Sequence, residues 1–259
     1  MDCRHFFSHT TAALIHGFPL PSQSRHSDLI HLSVVAPYRA IKLKGVVGHK
    51  LRIDQGSLIM KNGLTVPLPL EVWRELALLL PLDDLVAVTD FLVRRVAPFA
   101  TPAELEHALA TWTGSPGIHR LRQAFELSRP RTDSPMETHL RLLLGRSGLP
   151  EPEVNGAILD ERGGFVAFGD LVYREARVVV EYDGDHHRTD RDQYNHDLDR
   201  LYEVEHLRWR IVRLTSAHIA GSGRVAVSRV TAALNRDATR GPVRSGKTCT
   251  LKPNGTPHL

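Results

Sequence analysis

Two strand-like runs, Phe165 to Tyr173 and Arg177 to Tyr182, constrain this chain most. Both are rich in Val, Phe and Tyr, residues that fit a pleated, half-buried surface. Between them lies the polar break Arg174-Glu175-Ala176-Arg177, of hairpin size. A hairpin centred between Glu175 and Ala176 sets Asp170 opposite Glu181. Directly opposed side chains have Cβ atoms roughly 4.5–5.5 Å apart, and like charges there repel. Asp183, two residues beyond Glu181, is expected on the same side. Three carboxylates then meet at one end of a hairpin otherwise built from Val, Leu and Tyr. A hard divalent cation with oxygen ligands, Mg²⁺ or Mn²⁺, is the natural counter-charge. A slip of one residue would send Asp170 to the other face, so the expectation commits to a single register.

The flanking sequence supplies further elements. Ser134-Pro135-Met136-Glu137 opens a helix to about Arg146, with Glu137 at the third helical position of a capping box and Gly148 as the stop. Val154 to Ile158 reads as a strand, and Asp160 to Gly164 as a turn. Thr189-Asp190-Arg191-Asp192 begins a helix to about His206. Gln193, His196, Asp197 and Arg200 share one polar face of it at helical spacing. Arg208 to Leu214 alternates as a strand and Arg224 to Arg236 reads as a closing helix. Residues 237–259 carry Gly, Pro, Ser, Thr and basic residues with little to bury, as a disordered basic tail would.

The pattern D-x(10)-E-x-D-G-x-x-H, from Asp170 through Glu181, Asp183 and Gly184 to His187, resembles the active-site hairpin of the PD-(D/E)xK restriction-endonuclease-like superfamily. More closely, it resembles the Vsr-like (very-short-patch-repair-like) endonuclease domain. There a charged helix with an arginine and a closing strand around G-W-x-V-x-R follow the hairpin. Arg200 and Leu207-Arg208-Trp209-Arg210-Ile211-Val212-Arg213 stand in those places. The resemblance covers about residues 130–236. It implies an α/β (α+β) domain whose central mixed sheet is flanked by helices, and Mg²⁺-dependent hydrolysis of DNA phosphodiesters in repair, restriction or mobile-element defence. It also assigns roles. Asp170, Glu181 and Asp183 become metal ligands, and Glu137 an additional acidic group from the preceding helix. His187 becomes a general acid/base or phosphate contact, and Arg188, Gln193 and Arg200 contact nucleic acid. Two departures stand out. The superfamily lysine position holds Asp183, which leaves charge stabilisation to His187, Arg188 or the metal. No cysteine lies near the hairpin, so the structural zinc site of the repair enzymes has no counterpart. The Asp183 departure points to an alternative, an antitoxin-type DNA-binding regulator whose nuclease-like domain is catalytically silent.

The N-terminal half reads differently. Ser8 to His16 forms a short helix capped by Ser8 and ended by Gly17, with Pro19 and Pro21 breaking the chain after it. Leu29 to Val35 and Lys44 to Ile53 read as strands. Asn62-Gly63 between Leu58-Ile59-Met60 and Leu64-Thr65-Val66 is a hairpin signal. The run Phe7 to Pro21 is similar to the opening of AbiEi-like antitoxin-type proteins, which implies a small DNA-binding module over residues 1–68. Residues 69–128 follow as a helical connector. Leu70 to Leu80 is one helix, and Asp83 or Asp84 caps a second to Val96. Thr101-Pro102-Ala103-Glu104 opens a third, ended by Gly114, and Ser115-Pro116 a fourth, through Ser128. His9, His16, His31 and His49 match no ligand spacing and read as surface or hydrogen-bonded histidines.

Composition narrows the class. Of 259 residues, 42% are hydrophobic and 24% charged, as in globular proteins, and no apolar run reaches the ~20 residues of a membrane span. The first nine residues carry Asp and His where a signal peptide needs an apolar core, which points to the cytoplasm. Cys3 and Cys249 sit near opposite ends, so no disulfide framework is indicated. The net charge of +4 is compatible with a nucleic-acid partner.

Overall fold

Short strands and helices follow one another along this chain, and among the described residues they sort into three separate sheets flanked by helices, an α+β arrangement. The computed structural model of the protein describes residues 5–184, 203–204 and 206–238, the side chains of 236–238 excepted. Strand β1 (His5–Phe7) runs directly into α1 (His9–His16). Gly17 ends α1 at φ 80°, a left-handed conformation that costs glycine little. A short helix α2 (Ser22–Arg25) precedes β2 (Ile30–Val35), which pairs antiparallel with β1 and parallel with β3 (Val46–Leu51). A parallel pair needs a crossover, and residues 36–45 make it by passing close over β3. A Cβ built on Gly48 would lie 2.2 Å from the Ile41 carbonyl oxygen, so only glycine admits that path. Strands β4 (Leu58–Lys61) and β5 (Leu64–Pro67) form the expected hairpin. Asn62 at φ 51° and Gly63 at φ 75° supply the two positive angles of a type I′ turn.

Four helices follow: α3 (Pro69–Leu76), α4 (Leu82–Leu92), α5 (Pro102–Thr111) and α6 (Ile118–Leu127). The capping box at Thr101 and Glu104 is present in both directions. Two starts differ from the sequence reading. Pro81 takes the N-cap of α4, so Asp83 and Asp84 lie inside its first turn, where carboxylates favour the helix dipole. Helix α6 begins only after Gly117, whose φ of 80° no helix could continue through. Ala12, Phe18, Val66, Trp73, Leu85 and Leu121 belong to one hydrophobic core. Helix α1, the β4–β5 hairpin and α3 to α6 therefore pack together across position 68.

The C-terminal half begins with α7 (Pro135–Arg146), in which the Ser134 hydroxyl accepts the Glu137 amide. Strands β6 (Glu153–Leu159), β7 (Phe165–Tyr173), β8 (Val178–Tyr182) and β9 (Arg210–Leu214) form one sheet in that order. The first two pairings are antiparallel and the last is parallel. Helices α8 (Ser216–Ile219) and α9 (Arg224–Ala238) follow. Leu140, Leu144, Val178, Val180 and Val230 pack on one side of the sheet, and Ile158, Val179, Val204 and Trp209 on the other. Strand β8 is thus buried on both faces, which explains its unbroken run of valines. Helix α9 extends to Ala238, and the expected tail beyond it lies outside the described residues.

A buried ion pair joins the halves. Asp90 of α4 and Arg141 of α7 have side chains 1% and 2% exposed and meet at 3.1 Å. Asp90 also accepts the Arg129 amide at 2.6 Å and the Thr138 and Thr132 hydroxyls at 2.8 and 3.3 Å. Burial pushes the Asp90 carboxyl above its ordinary pKa, and Arg141 with the other donors draws it back.

Candidate functional site

The β7–β8 hairpin has the register its turn demands. Leu171 pairs with Val180, Val172 with Val179 and Tyr173 with Val178, as a turn centred between Glu175 and Ala176 requires. The turn closes through the Arg177 amide on the Arg174 carbonyl at 3.1 Å. One step further along, Asp170 and Glu181 come to neighbouring positions, and there the backbone ladder stops. Asp170 reaches across instead: its Oδ2 accepts the Tyr182 amide at 2.8 Å. A side-chain carboxylate has replaced a backbone carbonyl as the partner of β8. Asp170, Glu181 and Asp183 are all half-buried, so each can meet both protein and solvent.

The same break crosses into β6. Val154 pairs with Leu171 and Gly156 with Gly169, while Asn155 and Asp170 between them leave the ladder. Asn155 stands at φ 46°, a left-handed angle that asparagine tolerates better than most residues. Its Nδ2 donates to the Arg131 carbonyl at 2.6 Å and to Glu137 Oε2 at 3.3 Å. Glu137 also accepts the Asp133 amide at 3.1 Å. It therefore acts as a helix cap, on the amide before Ser134, while standing next to the row that contains Asp170. Burial raises its carboxyl pKa, and the amide donors lower it. On the far side, parallel register sets Arg213 of β9 beside Glu181. Asn155, Asp170, Glu181 and Arg213 thus occupy one row across four strands. The sequence reading missed Asn155 and Arg213 as members of it. Arg213 closes the quoted strand motif, but only the β8–β9 register reveals its neighbour.

The structure does not gather everything expected. Asp183 follows β8 and donates its amide to the Leu214 carbonyl at 2.7 Å. Asp170, Glu181 and Asp183 do not form a three-ligand cluster as tight as the one described next. His187, Arg188, Gln193 and Arg200 lie outside the described residues.

Among the described residues, the group of three potential ligands that does converge is His9, His31 and His49, each offering one ring nitrogen within 4.8 Å of the other two. The expectation of hydrogen-bonded histidines holds for all three, since His31 Nδ1 lies 2.9 Å from His49 Nε2 and His9 Nδ1 3.0 Å from Ser8 Oγ; what the sequence spacing did not show is that they converge. His16 fits that expectation too, since its Nε2 lies 2.8 Å from the Pro67 carbonyl. His9 opens α1 at φ 51°, and its amide donates to Glu75 Oε2 at 2.6 Å. Desolvation, then His49 and His31, lower the His9 pKa to about 3, so the imidazole is neutral. Burial, aided by Glu71, pushes Glu75 up to about 8.

No protein-family model and no solved structure matches the chain. It is similar to two uncharacterised proteins of Mycobacterium tuberculosis, MT2308 of strain CDC 1551 / Oshkosh and Rv2248 of strain ATCC 25618 / H37Rv. Each is 25% identical over 203 residues, covering 78% of this chain and 71% of the relative.

Proposed function

We propose that the chain is a cytoplasmic, Mg²⁺-dependent DNA endonuclease with Asp170 and Glu181 as its metal-binding pair, in a Vsr-like, restriction-endonuclease-like domain. The observation that carries this reading is the β7–β8 register, which brings two carboxylates from adjacent strands together where backbone pairing ends. The donor set fits the ion. Mg²⁺ is held by one or two carboxylates and completes its shell with water and substrate phosphate oxygens. Two neighbouring carboxylates suffice, and Asp183 is left to orient water or add a third oxygen. When bound, the ion lowers the pKa of a water and acts as a Lewis acid at the phosphate.

The chain's own residues supply the rest. Arg213, exposed and in register with Glu181, offsets acidic charge and can contact a phosphate oxygen. Asn155 holds Glu137 beside the row. His187, Arg188, Gln193 and Arg200 carry proton transfer and phosphate contact in this reading, and residues 1–68 place the chain on DNA.

The test is nicking of supercoiled plasmid by the full chain with Mg²⁺, with Mn²⁺ and with EDTA, for wild type and Glu181→Gln. Cleavage is expected only with metal and only in wild type. Cleavage that survives EDTA, or a variant that nicks at the wild-type rate, overturns the reading. DNA binding without nicking would select the antitoxin-type regulator with a silent nuclease-like domain. Asp183 at the lysine position favours that outcome.

A further inference from the structure

We infer that His9, His31 and His49 form a binding site for a zinc-class divalent ion, with Glu75 as the carboxylate that positions His9. The inference does not depend on the nuclease reading and concerns the other half of the chain.

The site is assembled from three directions. His31 on β2 and His49 on β3 come together through parallel pairing, in which His49 stands beside Ser33, two residues after His31. His9 is brought to them by α1. The Ser8 amide donates to the His31 carbonyl at 3.1 Å, and the His31 amide donates to Thr11 Oγ1 at 2.9 Å. The start of α1 is thereby pinned to β2 from both sides of His31. The Ser33 hydroxyl bonds Ser8 Oγ at 2.6 Å, and both serines are fully buried. The backbone positions of the three imidazoles are therefore fixed.

Their rings face one another. His31 Nδ1 lies 2.9 Å from His49 Nε2, and the His9 and His49 rings stack with centroids 3.8 Å apart. On a tetrahedral zinc with bonds of about 2.0–2.1 Å, ligand nitrogens sit roughly 3.3–3.4 Å apart. The rings lie within 12–30° of parallel, so to hold one ion each must turn about its side-chain bonds until its nitrogen lone pair points to a common centre. Neutral imidazoles suit zinc and its neighbours in the first transition row, whereas Mg²⁺ prefers oxygen.

A second observation points to a cation. Glu75 has a side chain only 4% exposed, lies with Oε2 3.6 Å from His9 Nδ1, and keeps Oε1 buried without a hydrogen-bond partner. Ser8 Oγ lies 3.0 Å from the same His9 nitrogen. Nδ1 is thus turned to an oxygen shell and Nε2 is left for the ion, the arrangement that orients metal-bound histidines. The buried Oε1 has no partner beside neutral rings, and a dication held by those rings would favour the charged form of the Glu75 carboxyl. Three protein nitrogens leave a fourth position for water or an added ligand.

The experiment uses the full chain with Cys3 and Cys249 changed to serine, stripped with chelator and dialysed. Zn²⁺ is titrated by calorimetry, bound metal is counted by mass spectrometry, and Co²⁺ replaces Zn²⁺ for visible spectra. One ion per chain is expected, with the intense bands of tetrahedral Co²⁺. Tm should rise by roughly 5–10 °C at about a hundredfold excess over Kd. His49→Gln retains a polar partner for His31 and should lose the ion while keeping the wild-type circular dichroism. Glu75→Gln should weaken Zn²⁺ about 10–100-fold without loss of stoichiometry. Absence of a stoichiometric ion, or unchanged Zn²⁺ affinity in folded His49→Gln, overturns the site. If His49→Gln fails to fold, the Co²⁺ spectrum of the Cys-free parent decides: octahedral bands overturn the inference.

Discussion

At the open end of the β7–β8 hairpin the polar groups are carboxylate oxygens, half-exposed and drawn from strands adjacent in sequence. At the start of α1 they are imidazole nitrogens, drawn from one helix and two parallel strands, with a buried glutamate behind them. The contrast separates two uses of a cation. In the proposed reading, a half-exposed oxygen pair would leave most of an ion's shell to water and phosphate, so the ion would come and go with substrate. A nitrogen trio with one buried and two half-buried members would satisfy most of a tetrahedral shell itself, so an ion bound there would stay as part of the fold.

Crossing the two centres gives the largest expected effect. Glu181→Gln should fall to the EDTA background in plasmid nicking yet retain one zinc, and His49→Gln should lose zinc yet nick with Mg²⁺. Loss of both properties in either variant, measured on one preparation, would merge the centres. Next in size is the junction between them. Asp90→Ala leaves the buried Arg141 with only the exposed Glu151, 3.6 Å away, as counter-charge and should cost about 3–5 kcal/mol in urea unfolding. The paired change Asp90→Leu with Arg141→Met should recover most of that, and a single variant within 1 kcal/mol of wild type on the order of surface substitutions would show the pair to be unimportant. Thr101→Ala removes one side of the α5 capping box and should cost about 0.5–2 kcal/mol while sparing both centres. Smallest is Glu137→Gln. Its raised folded pKa means that wild-type stability is greatest below the ordinary carboxylate value and declines as pH rises through the raised one. The variant should abolish that slope, with little change at low pH. Nicking retained in Glu137→Gln would make the residue a cap alone; nicking lost, with stability intact, would add it to the acidic row.

The hairpin was legible because its parts are local. A four-residue turn and a period of two suffice to place Asp170 beside Glu181. The type I′ turn at Asn62 and Gly63 and the capping box at Thr101 were legible for the same reason. What escaped depends on distant pairing. His31 and His49 are 18 residues apart and meet only because β2 and β3 run parallel. Asp90 and Arg141 are 51 residues apart, on helices whose separate patterns say nothing of each other. Arg213 joins Glu181 through a second parallel pairing. Strand β1, three residues long, is too short to show alternation and exists because β2 offers it an edge.

The Asp90 carboxylate has a consequence for inheritance. Its donors, Arg129, Thr132, Thr138 and Arg141, all lie at or beyond the seam near position 130, whereas Asp90 lies before it. A recombinant joining the first 128 residues of one relative to the remainder of another must receive a matching acid and arginine, or strand one of them in the interior. The seam that looks free for shuffling is therefore a linked locus, at which the two sides can change only together.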